Sequence, residues 1–361
     1  MRATIIGTGL IGGSIGLALA EAGHVVVGYD RDRERLSRAQ EIGAVSEAAC
    51  SVAEAARGAD IAFVALPVPA IADAVIELLD AGVPLVTDAG SVKGPIVAEV
   101  AARAGSRAAH FVGGHPMAGS EQDGIEGALA DLFAGAAWVL TPTAATEQAT
   151  YTSVRTLLTG IRAEVVTVTP SDHDVLVSFV SHVPQLAAST LMDVAVTQEA
   201  EHRALLRLAA GGFRDMTRIA ASHPGIWLDI LAANRSAVLD ALDAYVAGLQ
   251  RVRDNVAAGD RAALAGLLES ARAARRNLPV GAAVPTDLVE LRVPVPSRPG
   301  VIADVTTLAG RLGVNVVHIE SADSIEGRAG VLLLAVAASD ADAYEAALRE
   351  VGYHPARTDL T

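Results

Sequence analysis

The chain has 361 residues, a single cysteine and a formal charge of −14 at pH 7. That length exceeds one ordinary core and predicts two or three domains, and the negative field excludes nucleic acid or an anionic membrane surface as a natural partner. No uninterrupted apolar stretch approaches the roughly 20 residues of a spanning helix, the N-terminus runs straight into a strand pattern, and Cys50 alone makes no internal disulfide. A cytoplasmic protein with no membrane segment is therefore expected.

From residue 3 to about 168, short β-branched runs at Thr4–Ile6, Val25–Tyr29, Ile61–Leu66, Leu85–Thr87, Phe111–Gly113, Trp138–Leu140 and Val165–Val168 alternate with alanine-rich segments of helical period. That alternation predicts a doubly wound, mostly parallel sheet. Between the first strand and first helix lies Gly7-Thr8-Gly9-Leu10-Ile11-Gly12. Glycines so placed permit a tight turn, close approach of a pyrophosphate and close helix–strand packing. The sheet is thus read as Rossmann-type, with Gly7, Gly9, Leu10, Ile11 and Gly12 at the cofactor. Asp30 ends the second strand, where an acid accepts hydrogen bonds from an adenosine ribose and repels a 2′-phosphate, which favours NAD. Arg31 beside it argues the other way, since an arginine there suits NADP.

Asp88-Ala89-Gly90-Ser91-Val92-Lys93, which holds the only lysine, follows the fourth predicted strand. Gly113-Gly114-His115-Pro116-Met117-Ala118-Gly119-Ser120-Glu121 follows the fifth. Both lie at the carboxyl edge of the sheet, where ligands bind in this architecture. A neutral histidine there can take the proton of an alcohol as hydride leaves the same carbon. Ser91 is placed to orient His115; a packing or surface role is the alternative for this histidine.

After Val168 the pattern turns helical up to about Asn277. Thr169-Pro170-Ser171-Asp172 supplies an N-cap, a proline at the first helical position and an acid at the third. Ser178 and His182 are four apart and share a face, and Pro184 predicts a kink. Gly211-Gly212-Phe213-Arg214-Asp215-Met216-Thr217-Arg218 sets two arginines four apart. Their fork geometry suits a carboxylate, while a solvated helix face would have the same spacing. Residues 279–285 read as a linker. Strands at Val289–Val295, Val314–Glu320, Arg328–Ala337 and near Tyr353–Arg357, with helices at Val301–Arg311 and Asp340–Val351, give βαββαβ, a ferredoxin-like sandwich. The expected division is 1–169, 170–280 and 286–361, and no metal site is expected.

Taken in series, GTGLIGGS, DAGSVK, GGHPMAGSE, SHVPQ and GGFRDMTRIA resemble the prephenate/arogenate dehydrogenase family across the first two domains. The resemblance implies NAD-dependent oxidative decarboxylation of prephenate to 4-hydroxyphenylpyruvate in tyrosine biosynthesis, with arogenate as the alternative substrate. It implies His115 as the base and Ser91 as the residue that aligns it with the nicotinamide. Arg218 then grips a substrate carboxylate, and His182, Ser178, Ser120, Glu121, Gly211, Asp215 and Trp227 line the substrate pocket or its entrance. It also implies a homodimer through the helical domain. The third unit resembles an ACT domain, on Ser297-Arg298-Pro299-Gly300-Val301-Ile302-Ala303-Asp304 and Gly313-Val314-Asn315-Val316, which implies an amino-acid effector, with tyrosine expected as end product. Two rivals are weaker. A β-hydroxyacid dehydrogenase or reductase usually depends on a helical-domain lysine, and none follows Lys93. A catalytically silent NAD-binding sensor leaves His115, Ser91 and Arg218 without a purpose.

Overall fold

Alternate residues of the first strands belong to opposite faces, as the two-residue period of a strand requires. Ala3, Ile5, Ile61 and Phe63 enter one core, whereas Ile6, Ala62 and Val64 enter another. A sheet buried on both faces must be covered by helices on both. The computed structural model, which describes residues 1–119, 122, 124–199, 205–277, 288–296, 298–323 and 329–360, has this arrangement. In chain order its first part comprises β1 (Arg2–Ile6), α1 (Leu10–Glu21), β2 (Val25–Tyr29), α2 (Arg33–Glu41), β3 (Glu47–Ala48), α3 (Val52–Ala55) and β4 (Ile61–Val64). There follow α4 (Val68–Asp80), β5 (Val86–Asp88), α5 (Gly94–Ala104), β6 (Phe111–Pro116), β7 (Ala137–Thr141), α6 (Gln148–Gly160) and β8 (Glu164–Thr167).

The sheet order is β3-β2-β1-β4-β5-β6-β7-β8. Its reversal between β1 and β4 creates the crevice in which this architecture holds ligands. Apolar residues of α1, α2 and α6 fill one core and those of α3, α4 and α5 the other. Two features depart from the sequence reading. The two-residue β3 pairs with β2, but both its residues are exposed and carry no apolar signal. Further on, β7 runs antiparallel to β6, and His115 lies opposite Val139. That partner extends β6 through Pro116, so His115 sits within the strand rather than in the loop expected after it.

The helical part contains α7 (Pro170–Val177), a π-turn at Ser178–His182, α8 (Val183–Glu199), α9 (Gly211–Thr217), α10 (Pro224–Ala233), α11 (Arg235–Ala258) and α12 (Arg261–Arg276). The Thr169 side chain accepts from Asp172 N, as the capping motif requires. At Pro184 a kink is expected, yet the helix runs on. The π-turn lets Val183 N–H reach the Ser178 carbonyl five residues back. Such a wide turn is a frequent device at functional sites.

Met1–Ala265 and Gly266–Thr361 form separate compact units, the boundary falling inside α12. In the second, β9 (Leu288–Pro296), α13 (Val301–Arg311), β10 (Val316–Asp323), β11 (Ala329–Ala337), α14 (Ala338–Glu350) and β12 (Ala356–Leu360) make an antiparallel sheet of order β10-β11-β9-β12. Its own core contains Val289, Leu291, Val293, Val305, Leu334, Val336, Tyr344 and Leu348. The Tyr344 hydroxyl is satisfied by donating to the Val305 carbonyl at 2.9 Å. This is the expected ferredoxin-like sandwich. The linker 279–285, Ser297 and Arg328 lie outside the described residues.

Candidate active site

Each glycine of the first turn meets a different steric demand. Gly7 has φ +91°, and a Cβ there would lie 2.3 Å from the Ala65 carbonyl oxygen. A Cβ on Gly12 would lie 1.8 Å from the Gly7 carbonyl oxygen. At Gly9, by contrast, nothing lies within 4 Å, and Gly9 caps α1 with no side-chain hydrogen bond. The turn therefore combines forced closeness at two glycines with an open approach to a helix N-terminus, which suits a pyrophosphate. Leu10 and Ile11 open α1 half-buried behind it.

Asp30 is 4 % exposed. Its Oδ2 accepts from Thr8 N at 2.8 Å and Thr8 Oγ1 at 3.2 Å, and its Oδ1 accepts from Asp32 N at 2.9 Å. The carboxylate thus ties β2 to the glycine turn, and Oδ1 keeps acceptor capacity for a ribose hydroxyl. Arg35 is shared between Asp30 and Asp32, each at 3.5 Å. Two carboxylates around this arginine disfavour an added 2′-phosphate, so the residues fit NAD.

The reactive end is built around His115, which is 8 % exposed. Its Nδ1 lies 2.8 Å from His173 Nε2, and His173 Nδ1 lies 2.8 Å from Asp174 Oδ1. The Asp174 carboxylate also accepts from Lys93 N and Gly94 N, both at 2.7 Å, and so fastens α7 to the N-terminus of α5. Beneath His115, the fully buried Lys93 ammonium pairs with Asp88. Lys93 Nζ donates to the Gly114 carbonyl at 2.8 Å, and Gly114 N donates to Asp88 Oδ1 at 3.1 Å. The ion pair thereby brackets Gly114, the residue before His115, through both its N–H and its carbonyl. A Cβ on Gly114 would come within 2.5 Å of the Asp88 carbonyl oxygen.

Burial sets the charge state here. It pushes the His115 imidazole well below its ordinary range, and the neighbouring His173, Lys93 and His182 push the same way. Burial also lowers His182, to about 4, and lowers the Lys93 ammonium against the opposing pull of Asp88. His115 and His182 are therefore both neutral near pH 7, because burial penalises their charged forms, as the proton-accepting role read from the sequence requires of His115, and they contribute hydrogen bonds rather than charge.

His182 is held from the helical side. The Asn234 amide donates to the Asp174 carbonyl at 2.8 Å and lies 3.2 Å from His182 Nδ1. Since the carbonyl needs a donor, the amide NH2 faces both partners, and His182 Nδ1 is the acceptor. Its other nitrogen is then the N–H. Trp227 packs edge-on against this ring, with centroids 6.1 Å apart.

Of the residues singled out in the sequence, His115, His182 and Trp227 are linked through this buried cluster. Ser178 is fully buried in the π-turn, with its hydroxyl donating to the Val175 carbonyl at 2.6 Å. Among the described residues Ser91 makes no hydrogen bond to His115; it is half-buried, two residues before Lys93. Gly211 opens α9, Asp215 lies exposed on it, and Arg218 is exposed on the turn that follows and packs against α8. Ser120 and Glu121 lie outside the described residues. His173, Asp174, Asn234 and the Asp88–Lys93 pair escape the sequence reading. For His173 and Asp174 the signal is two polar residues just inside a helix start, which also describes an ordinary cap. Lys93 has only its singularity to mark it.

Three family descriptions match the chain: prephenate dehydrogenase, nucleotide-binding domain, at residues 15–167; prephenate dehydrogenase, dimerization domain, at 169–270; and ACT domain at 289–353. A prephenate dehydrogenase of Bacillus subtilis is 33% identical over 349 residues, covering 94% of each chain. Among solved structures, prephenate dehydrogenase from A. aeolicus in complex with hydroxyphenyl propionate and NAD+ superposes with a TM-score of 0.72 at 30% identity, covering 77% of this chain and 98% of that one. Synechocystis arogenate dehydrogenase gives a TM-score of 0.66 at 29% identity, covering 76% of this chain and 99% of the other.

Proposed function

The chain belongs to the prephenate dehydrogenase family, and on that premise we propose how its residues share an NAD-dependent oxidative decarboxylation of prephenate to 4-hydroxyphenylpyruvate. The observation that carries the assignment is a buried, neutral His115 at the carboxyl end of β6, on the same edge of the sheet as the glycine turn after β1. A neutral imidazole can take the hydroxyl proton as the carbinol carbon gives up its hydride. Carbon dioxide leaves from the ring, the ring becomes aromatic, and the step is irreversible. NAD, when bound at Gly7, Gly9, Leu10, Ile11, Gly12, Asp30 and Ser91, supplies the hydride acceptor.

Arg218 is the cation for a substrate carboxylate, by the bidentate geometry of a guanidinium. His182, with its N–H left to donate, and Ser178, Gly211, Asp215, Trp227, Ser120 and Glu121 complete the pocket in this reading. Prephenate is preferred over arogenate. The two differ by a ketone against an ammonium, and the buried residue one turn beyond His182 is the neutral Gln185. The nearby acid Asp174 has both oxygens engaged by N–H donors. The division 1–169, 170–280 and 286–361, a cytoplasmic homodimer and tyrosine as the ACT effector belong to the same reading.

The deciding experiment replaces the base. His115→Asn should leave NAD affinity intact and lower kcat by about 10²–10⁴-fold, measured as prephenate-dependent NADH formation. Turnover near that of the parent would remove His115 from the mechanism.

A further inference from the structure

A histidine acts as a base only through a nitrogen without a proton, so the tautomer of His115 matters as much as its position. We propose that Asp174 and His173 form a positioning relay that fixes His115 as the Nδ1–H tautomer, leaving Nε2 to receive the substrate's hydroxyl proton. The proposal rests on His115 being the base.

The tautomers follow from the partners. Asp174 accepts backbone N–H bonds on both carboxylate oxygens, so it acts as an ionised acceptor, and the 2.8 Å contact to His173 requires Nδ1–H on that ring. A neutral His173 then has only an acceptor at Nε2. His115 lies 2.8 Å from that atom through Nδ1 and must donate to it. The proton on His115 is thereby held on the side away from Nε2. With His173 protonated, the same contact would turn Nδ1 into an acceptor and put the His115 proton on Nε2, blocking it.

The arrangement exceeds what a helix cap needs. Asp174 already fastens the start of α5 through Lys93 N and Gly94 N; the bond to His173 is additional, and it is the one that leads to His115. The charged or titratable groups around the His115 ring are His173 and Asp174 from α7, Lys93 and Asp88 below, and His182 from the π-turn. In the reaction the substrate O–H bond breaks and an N–H bond forms at Nε2. The Nδ1–H stays bonded to His173, and Asp174 supplies the anion that balances the new imidazolium. His173 and Asp174 are positioning residues, since neither is bonded to the reacting atoms.

The test compares His173→Phe, His173→Gln and Asp174→Asn in the full-length chain. His173→Phe should retain NAD affinity and lower kcat about 10–100-fold, the loss of a buried hydrogen bond. Because His115 works only when neutral, kcat/KM falls as pH drops through its pKa. Replacing the anion that stabilises its cation through His173 by a neutral amide lowers that pKa, so the acidic limb should move to lower pH in Asp174→Asn. His173→Gln, with an amide oxygen able to reach the position of Nε2, should recover much of the loss. In the parent protein, ¹⁵N NMR should show His115 protonated at Nδ1. An Nε2–H form, or an Asp174→Asn variant whose kcat falls with an unmoved acidic limb, would overturn the relay. Should Asp174→Asn fail to fold because it caps α5, the His173 variants and the NMR decide. A parent-like His173→Phe beside an inactive His115→Asn sinks the relay alone, whereas a parent-like His115→Asn sinks the assignment of the base.

Discussion

Burial makes His182 a proton-linked element of stability. Its folded value of about 4 lies below the ordinary 6.5, so the unfolded chain takes up a proton that the folded chain refuses. Above pH 6.5 both states are neutral and the residue contributes no slope. As pH falls from 6.5 toward about 4, stability is lost. Urea midpoints measured across that window should fall less in His182→Gln than in the parent, and parallel curves would show that His182 titrates normally. His115 gives the kinetic counterpart: with its value depressed, the acidic limb of kcat/KM should lie below the ordinary histidine range. Lys93 tests a different cost. Lys93→Met leaves Asp88 buried without its cation and should destabilise the fold by about 3–5 kcal/mol, as breaking a buried pair does. The Asp88→Asn, Lys93→Met double variant should recover part of this in chemical denaturation; simple additivity would mean the pair is not coupled.

Among the elements, the glycine turn separates folding from binding by position alone. Gly12→Ala places a methyl against the backbone at Gly7 and should lower the thermal midpoint. Gly9→Ala meets open space, so the midpoint should hold while the Kd for NAD rises; unchanged NAD affinity would show that the ligand does not approach there. The turn is legible in the sequence because the close backbone at Gly7 and Gly12 selects glycine there, and the long strands are legible because burial on both faces selects β-branched runs. Other elements leave no such trace. Strand β3 is two exposed residues held by pairing with β2 alone, and the extension of β6 to His115 depends on β7 running antiparallel. The π-turn at Ser178–His182 resolves a conflict between Pro184 and a continuous helix in a way no local propensity dictates. The His115–His173–Asp174 chain joins residues 58 apart in sequence, and such a contact becomes visible only once α7 has docked on α5.

At the scale of the whole molecule, the helical part has an apolar surface without cover in a single chain. The continuous helix Pro170–Gln198 is long and apolar enough to cross a membrane by length and composition, which the sequence reading does not anticipate. Its polar residues argue for a different use. His173, Asp174, Ser178, His182 and Gln185 are buried on one side, and His173 and Asp174 bond to β6 and the start of α5. Val175, Leu176, Phe179, Val180, Val194 and Val196 remain exposed. On α11, exposed Leu239, Val246, Leu249 and Val256 follow spacings of seven, three and seven, which is one face of a helix. Apolar surface on this scale marks an interaction site, and the proposed homodimer would bury it. Replacing Val246 and Leu249 together by aspartate should place charges in that interface without touching the site cluster, since neither side chain is buried. Light scattering coupled to size exclusion should then give about half the mass of the parent, with the helical circular dichroism retained. A parent of monomer mass, or a double variant that still sediments as a dimer, would show that the face on α11 is not where two copies meet.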